Sequence, residues 1–250
     1  MVRLSVNLNK IAILRNARGG NVPNVVQVAI DVQKFGCHGI TIHPRPDERH
    51  ITYKDVHDIS SVISTELNIE GNPTEKFMKL VLDVKPTQVT LVPDSEDVIT
   101  SNSGWNTVLY QDFLTDKIKI LKDYGIRTSI FLDPKPELVS YASKTGADRI
   151  ELYTGPFSIG YANKKWNCID PYVNTAKMVA IHHMSINAGH DLNLENISFL
   201  IEKIPNLSEV SIGHALIIES IYMGLENTIQ SYLKILCKVK KKYKKNDTAF

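Results

Sequence analysis

Residues 39–51 read GITIHPRPDERHI. A short apolar run, Ile40 to Ile42, stops at His43. Pro44, Arg45, Pro46, Asp47, Glu48, Arg49 and His50 follow at once. A β-branched run of that length reads as a buried strand. Pro44 and Pro46 cannot donate to a sheet ladder, so the strand ends near His43. The stretch is therefore a buried strand whose C-terminal end opens into titratable chemistry. A closed barrel of parallel strands builds its active site at such ends.

The same pattern recurs along the chain. Strands are expected at LSVNL (4–8), GITIH (39–43), LNIEG (67–71), QVTLVP (88–93), RTSIFLD (127–133), RIELYT (149–154), MSINAGH (184–190) and EVSIGH (209–214). Amphipathic segments lie between them, as in 24–35, 74–84, 112–125, 136–146 and 170–183, with apolar residues at three- and four-residue steps. Thr74-Glu75 and Pro136-Glu137 read as helix starts, and Gly125 and Gly146 as helix stops. Parallel strands need crossovers, which these helices supply. Eight such units in 250 residues predict a single-domain (β/α)8 TIM barrel with extra helices, over residues 1–240, and a basic C-terminal tail at 241–250. An open doubly wound sheet is the alternative, although no GxGxxG follows the first strand.

Composition narrows the function classes. A 43% hydrophobic content supports a sizeable core. The net charge of +2 does not point to nucleic acid. Lys238, Lys240, Lys241, Lys242, Lys244 and Lys245 crowd the end of the chain, and the plain reading is a solvated C-terminus. Cys37, Cys168 and Cys237 are odd in number and widely spaced, which predicts reduced thiols and a cytoplasmic location. No signal-peptide core or membrane-spanning run of about 20 apolar residues is present in the sequence. The polar segment DSEDVITSNSGWNT (94–107), after the fourth strand, reads equally as a lid over the barrel mouth or as an ordinary surface loop.

Nearly every strand end carries a polar or ionisable group. The first gives Asn7, Asn9 and Lys10, then ILRNARGG with Arg15 and Arg18; the second gives His43 and Arg45; the third Glu70; the sixth Glu151; the seventh His190 and Asp191; the eighth Gly213 and His214. A lone strand-end histidine or glutamate means little, but so many ends of one kind suggest one site. Lys10, Arg18 and Arg45 suit anionic groups. Gly213, ahead of a helix start, suits a phosphate. His43, His190, Glu70 and Glu151 are proton-transfer groups. The set implies phosphorylated substrates and repeated proton transfers. Three strand-end histidines leave zinc as a minority alternative.

At these residues the chain resembles the PdxJ family of vitamin B6 biosynthesis, the pyridoxine 5′-phosphate synthases. The similarity is carried by VNLNKIAILRNARGG (6–20), GITIHPRPDERHI (39–51), LNIEGNPT (67–74), VTLVPD (89–94), TSNSGW (100–105), IELYTG (150–155), NAGHDL (187–192) and IGHALI (212–217), in family order. The resemblance implies a cytoplasmic homo-octamer, a tetramer of dimers, with no metal or other cofactor. It implies condensation of 1-deoxy-D-xylulose 5-phosphate with 3-amino-2-oxopropyl phosphate, giving pyridoxine 5′-phosphate, inorganic phosphate and water. By position it makes His43 and Glu70 proton acceptors, His190 a proton donor and Glu151 a transition-state stabiliser. Asn7, Arg18, Asp191, Gly213 and His214 would hold the amino-ketone phosphate, and Asn9, Lys10, Arg45, His50 and Thr100 the deoxyxylulose phosphate. Two departures stand out: Asn9-Lys10 where some members have Asp-His, and Asp191 where others have Gly. Two rival readings remain at this point. One is a phosphosugar aldolase, epimerase or isomerase on the same barrel, with Lys10 as its Schiff-base candidate. The other is a phosphometabolite-binding scaffold without catalysis.

Overall fold

Eight parallel strands pair in chain order and close into a barrel. They are β1 (Arg3–Asn7), β2 (Gly39–Ile42), β3 (Glu66–Gly71), β4 (Gln88–Leu91), β5 (Arg127–Leu132), β6 (Arg149–Tyr153), β7 (Ser185–Gly189) and β8 (Leu207–Ile212). The closing seam joins β1 to β8, with Arg3 opposite Glu209 and Val6 opposite Ile212. This computed structural model describes residues 2–94, 101–204 and 206–247, with side chains through residue 238. Each strand lies within two residues of its expected place.

Helices wrap the barrel: α1 (Asn9–Arg18), α2 (Val25–Lys34), α3 (Tyr53–Ser60), α4 (Glu75–Val84), α5 (Gln111–Asp123), α6 (Pro136–Lys144), α7 (Gly155–Ala162), α8 (Asp170–Ile181), α9 (Ile197–Lys203), α10 (His214–Met223) and α11 (Leu225–Asp247). Local chemistry sets several starts. Asn24 accepts from the Gln27 N–H at α2, Thr74 from Phe77 at α4, and Thr52 forms a reciprocal capping box with Asp55 at α3. Helix α1 occupies a segment to which the sequence pattern assigns no element. It begins as soon as β1 ends, with the Asn7 side chain accepting from the Asn9 N–H, and buries Ile11, Ala12 and Arg15. Helix α11 packs Ile229, Tyr232 and Leu236 into the core and crosses residue 240 unbroken.

Alternation along each strand separates two environments. Leu4, Val6, Ile40, Ile42, Ile69, Val89, Leu91, Ile150, Leu152 and Val210 have no exposed surface and join the core shared with the helices. Their neighbours bond to one another across the barrel interior. Ser5 Oγ lies 2.7 Å from Thr41 Oγ1, and the Thr90 hydroxyl donates to Asn68 Oδ1 at 3.0 Å. At the N-terminal floor, Arg3 donates to Glu66 at 2.6 Å and to Glu209 at 3.3 Å, Arg127 pairs with the same Glu66, and Arg149 lies 3.6 Å from Glu209. Barrel interiors are usually filled by bulky branched side chains. Here the apolar core lies outside the barrel wall, and the lumen is mostly polar, with Phe131 as an apolar side chain beside Glu151 and His190.

Glu66 links two guanidiniums. The Glu66→Ala variant should lose about 1–3 kcal/mol, less than a fully buried pair because the site is about a quarter exposed. Thermal melting should show Tm down by about 2–10 °C. A change within noise would mean that the floor cations are held by solvent rather than by this carboxylate.

Candidate active site

The C-terminal ends of the strands enclose a cavity of about 400 Å³. Glu70 ends β3 and Glu151 lies in β6, and both reach the cavity floor with almost no exposure. His43, just past β2, has Nδ1 3.8 Å from Glu70 Oε2. His190 follows β7 and packs its ring against Phe131 and Tyr153, at centroid distances of 5.5 and 5.3 Å. The structure thus brings all four expected proton-transfer groups around one space.

Backbone shape makes the floor possible. A Cβ on Gly189 would stand 2.8 Å from Glu151 Oε1, so the glycine leaves room for the carboxylate. The Thr90 hydroxyl lies 3.4 Å from Glu151 Oε2, and Asn68 lies behind Thr90. On the facing side, the Asn9 side chain accepts the His43 backbone N–H at 2.9 Å. Asn9 therefore fixes the end of the second strand as well as lining the cavity.

Burial governs the electrostatics. The Glu70 carboxyl is pushed well above the usual range, first by desolvation and then by Glu151 and Asp94. Glu151 is pushed up to about 8 by desolvation and by the Glu209 carboxylate below it, against a small opposing effect of the Thr90 hydrogen bond. His43 is driven well below the ordinary imidazole value by burial and by Arg45. His50 falls to about 4, through burial and then the charges of Arg45 and Arg49. His190 is lowered by burial, with Asp191 and Asp94 opposing and Arg45 and Lys10 reinforcing. At neutral pH the site therefore holds neutral imidazoles beside carboxyl groups that resist ionisation, an arrangement able to give and take protons without carrying much charge.

The rim is set for anions. The first turn of α1 brings Asn9 and Lys10 to the cavity, and the first turn of α10 brings His214 and Ala215. Helix N-termini present free N–H groups and a positive dipole end. Gly213 permits the second turn to pack on Asn7: a Cβ there would meet the Asn7 Cβ at 3.0 Å. His50 and Asp191 also line the cavity. Lys10 stands on a helix at the rim rather than at a strand end inside the barrel, which weakens the aldolase reading.

Several residues differ in place or role from the sequence reading. Arg45 lines the cavity as expected, but it is buried and also donates to Asp94 at 2.6 Å. The Ser101 hydroxyl also donates to Asp94, and the Asn72 amide holds the Asp94 carbonyl at 3.0 Å. Asp94, Ser101, Arg49 and Ser211 were not singled out from the sequence; the acid that ends VTLVPD was the available signal for the first. Arg18 lies on the exposed last turn of α1 and does not line the cavity. Thr100 lies outside the described residues, as do the other residues of 95–100 in the proposed lid. The segment after Thr100 is anchored. Trp105 is buried, donates Nε1–H to the Leu91 carbonyl at 3.0 Å, and bonds through its backbone N–H to Phe131 at 2.9 Å.

A larger open groove of about 700 Å³ runs between α1, α2 and α3, above the buried Arg15–Asp55 pair, and holds none of the strand-end histidines or glutamates. Among the described residues, no three His, Cys, Asp or Glu side chains converge as metal ligands, so the zinc alternative has no ligand set there. No helix among them is long and apolar enough to cross a membrane.

Residues 4–238 match the family model described as "Pyridoxal phosphate biosynthesis protein PdxJ". The chain is 56% identical over 236 residues to the pyridoxine 5′-phosphate synthase of Christiangramia forsetii, covering 94% of this chain and all of that one. It is 54% identical over 238 residues to the enzyme of the same name from Cytophaga hutchinsonii, covering 95% of this chain and all of the relative. Among solved structures, a phosphoribosylanthranilate isomerase from Thermotoga maritima shares the barrel, with a TM-score of 0.59, 16% identity, and coverage of 94% of this chain and 98% of that one.

Ionising Glu151 should cost stability. Its folded value of about 8 lies above the ordinary 4.5, so its stabilising share is complete below about pH 4.5 and is lost as pH rises through about 8. The Glu151→Gln variant cannot ionise. Its Tm advantage over the wild type should grow by about 2–6 °C from about pH 6 to about pH 9. Parallel melting curves would place the charge elsewhere.

Proposed function

The chain belongs to the PdxJ family, and on that premise we propose that it catalyses the ring-closing condensation of 3-amino-2-oxopropyl phosphate with 1-deoxy-D-xylulose 5-phosphate. The products are pyridoxine 5′-phosphate, inorganic phosphate and water. The observation that carries the reading is the convergence of His43, Glu70, Glu151 and His190 on one cavity between two helix N-termini. A substrate pair with two phosphates needs two anion subsites, and the starts of α1 and α10 supply them. Building a pyridine ring from an amine and two ketones needs imine formation, dehydration, phosphate loss and carbon–carbon closure. Each step moves protons, and holding both substrates in one cavity exploits proximity.

The residue roles follow from protonation state. His43, kept neutral by burial and by Arg45, accepts a proton at neutral pH. Glu70, across a 3.8 Å gap, holds its proton in the free site and serves as the second acceptor once it has passed that proton on, so it exchanges protons with His43. Glu151, protonated at pH 7, donates a hydrogen bond to oxygen as negative charge develops there. Burial keeps His190 neutral in the free site, and an incoming phosphate raises its proton affinity and makes it a donor. Asn7, Asp191, Gly213 and His214 serve the amino-ketone phosphate, and Asn9, Lys10, Arg45 and His50 the deoxyxylulose phosphate. Arg18 and Thr100 belong to the same proposal. No metal or other cofactor enters the scheme. A cytoplasmic homo-octamer built from dimers is part of the reading, and the exposed Leu14, Ile218, Ile221 and Tyr222 offer apolar surface for its contacts.

The test is direct. Purified protein is incubated with both phosphorylated substrates, and product is followed by mass and ultraviolet absorbance. The wild type should form pyridoxine 5′-phosphate, and His43→Ala and Glu70→Gln should each lose about 10²–10⁴-fold in kcat. Absence of product from folded wild type would reject the reaction; wild-type turnover in either variant would reject that residue's role.

A further inference from the structure

The backbone that carries His190 is strained. His190 and Asp191 are consecutive non-glycine residues with φ of 82° and 54°. Left-handed backbone is unfavourable for a residue that carries a Cβ, so such a pair persists only where its surroundings hold it. Strand β7 would otherwise continue beside β6, and the His190 ring would leave the cavity.

Three side chains hold this turn. Thr154, fully buried just past β6, continues the ladder by donating its backbone N–H to the Gly189 carbonyl at 3.0 Å. Its hydroxyl hydrogen is shared between the same carbonyl and that of His190, which lies 2.6 Å away. Ser158 on α7 donates to the Asp191 carbonyl at 2.7 Å, and the Asn196 amide donates to it at 3.1 Å. The carbonyls of both strained residues are thus taken by side chains, Thr154 and Ser158 from the β6–α7 unit and Asn196 from the start of α9. The turn they fix sets the His190 ring against Phe131 and edge-on to Tyr153.

We propose that Thr154 is a positioning residue for His190, its hydroxyl holding the left-handed turn that aims the imidazole into the cavity, with Ser158 and Asn196 as its supports. This rests on the reading of His190 as proton donor. Thr154 touches no reacting atom in this role. A displacement of about 1 Å at such a group costs on the order of 10²-fold in rate.

The test compares Thr154→Val, which keeps the shape and loses the hydroxyl, with Thr154→Ser, which keeps the hydroxyl. The first readout is the NMR titration of the His190 imidazole, without substrate. Asp191, Asp94, Arg45, Lys10, Tyr153 and His43 are ionisable groups around it, with Glu70 and Glu151 in the same cavity, and burial holds it below 6.5. Thr154→Val should let the ring reach water and titrate closer to 6.5, while Thr154→Ser should match the wild type. The second readout is turnover: Thr154→Val should lose about 10- to 100-fold in kcat with KM for both substrates within about twofold, and Thr154→Ser should recover it. If Thr154→Val fails to fold, Ser158→Ala carries the test, with shifts in the same direction. A folded variant with lowered Tm but a wild-type His190 titration and kcat would overturn the proposal and leave the hydroxyl a structural bond only. Should the wild type itself make no product, the synthase reading falls, and the titration alone decides whether Thr154 aims the ring.

Discussion

A carboxylate inside a protein must find a cation, find hydrogen-bond donors, or keep its proton. The polar lumen of this barrel uses all three solutions, at different depths. At the floor, Glu66 and Glu209 are surrounded by Arg3, Arg127 and Arg149. Near the mouth, Asp94 is held by Arg45 and Ser101. Between them, Glu70 and Glu151 pair with no lysine or arginine among the described residues, and their proton affinities rise. The carboxyls that keep their protons are the ones to which the proposed mechanism gives the chemistry. Their state depends on the floor, because Glu209 pushes Glu151 up from below.

The rim depends on a second buried contact. Arg15 on α1 donates to both oxygens of Asp55 on α3, at 2.8 Å for the longer-range pair Nη2–Oδ2, and also to the His50 carbonyl at 3.1 Å. Asn16 holds the same carbonyl at 2.9 Å. One guanidinium therefore ties the helix that begins with Asn9 and Lys10 to the loop that carries Arg45 and His50. A lysine could not reproduce this fork, because its ammonium cannot bond both carboxylate oxygens and a carbonyl in one plane.

Much of this was legible in the sequence, for stated reasons. Each strand is a β-branched run stopped by proline, glycine or a cap, as in GITIHP, so the barrel and its strand ends could be read directly. His43, Glu70, Glu151 and His190 fall at those ends, and the barrel geometry brings them together. Helix α1 was hidden because its buried face includes Arg15, whose partner Asp55 lies 40 residues away. The pairing of Arg45 with Asp94, 49 residues apart, was hidden for the same reason. The turn at His190 gave one sign only, the departure at Asp191 from the family's Gly, since neither left-handed residue in this chain is a glycine. The polar lumen was visible yet unread: LSVN, ITIH, LNIE and IELY alternate strictly, whereas parallel strands buried on both faces usually run apolar throughout.

That alternation bears on how the barrel assembles. An incomplete sheet of this chain would turn Ser5, Thr41, Asn68 and Thr90 toward water, not a bare aliphatic wall. Partly closed intermediates would hide most of their apolar surface under their own helices and be poor seeds for aggregation. Final closure would gain its apolar burial outside the wall, where α11 packs against α9, α2 and β1, and in the lumen would add the ladder between β1 and β8 and Arg3 meeting Glu209 across the seam.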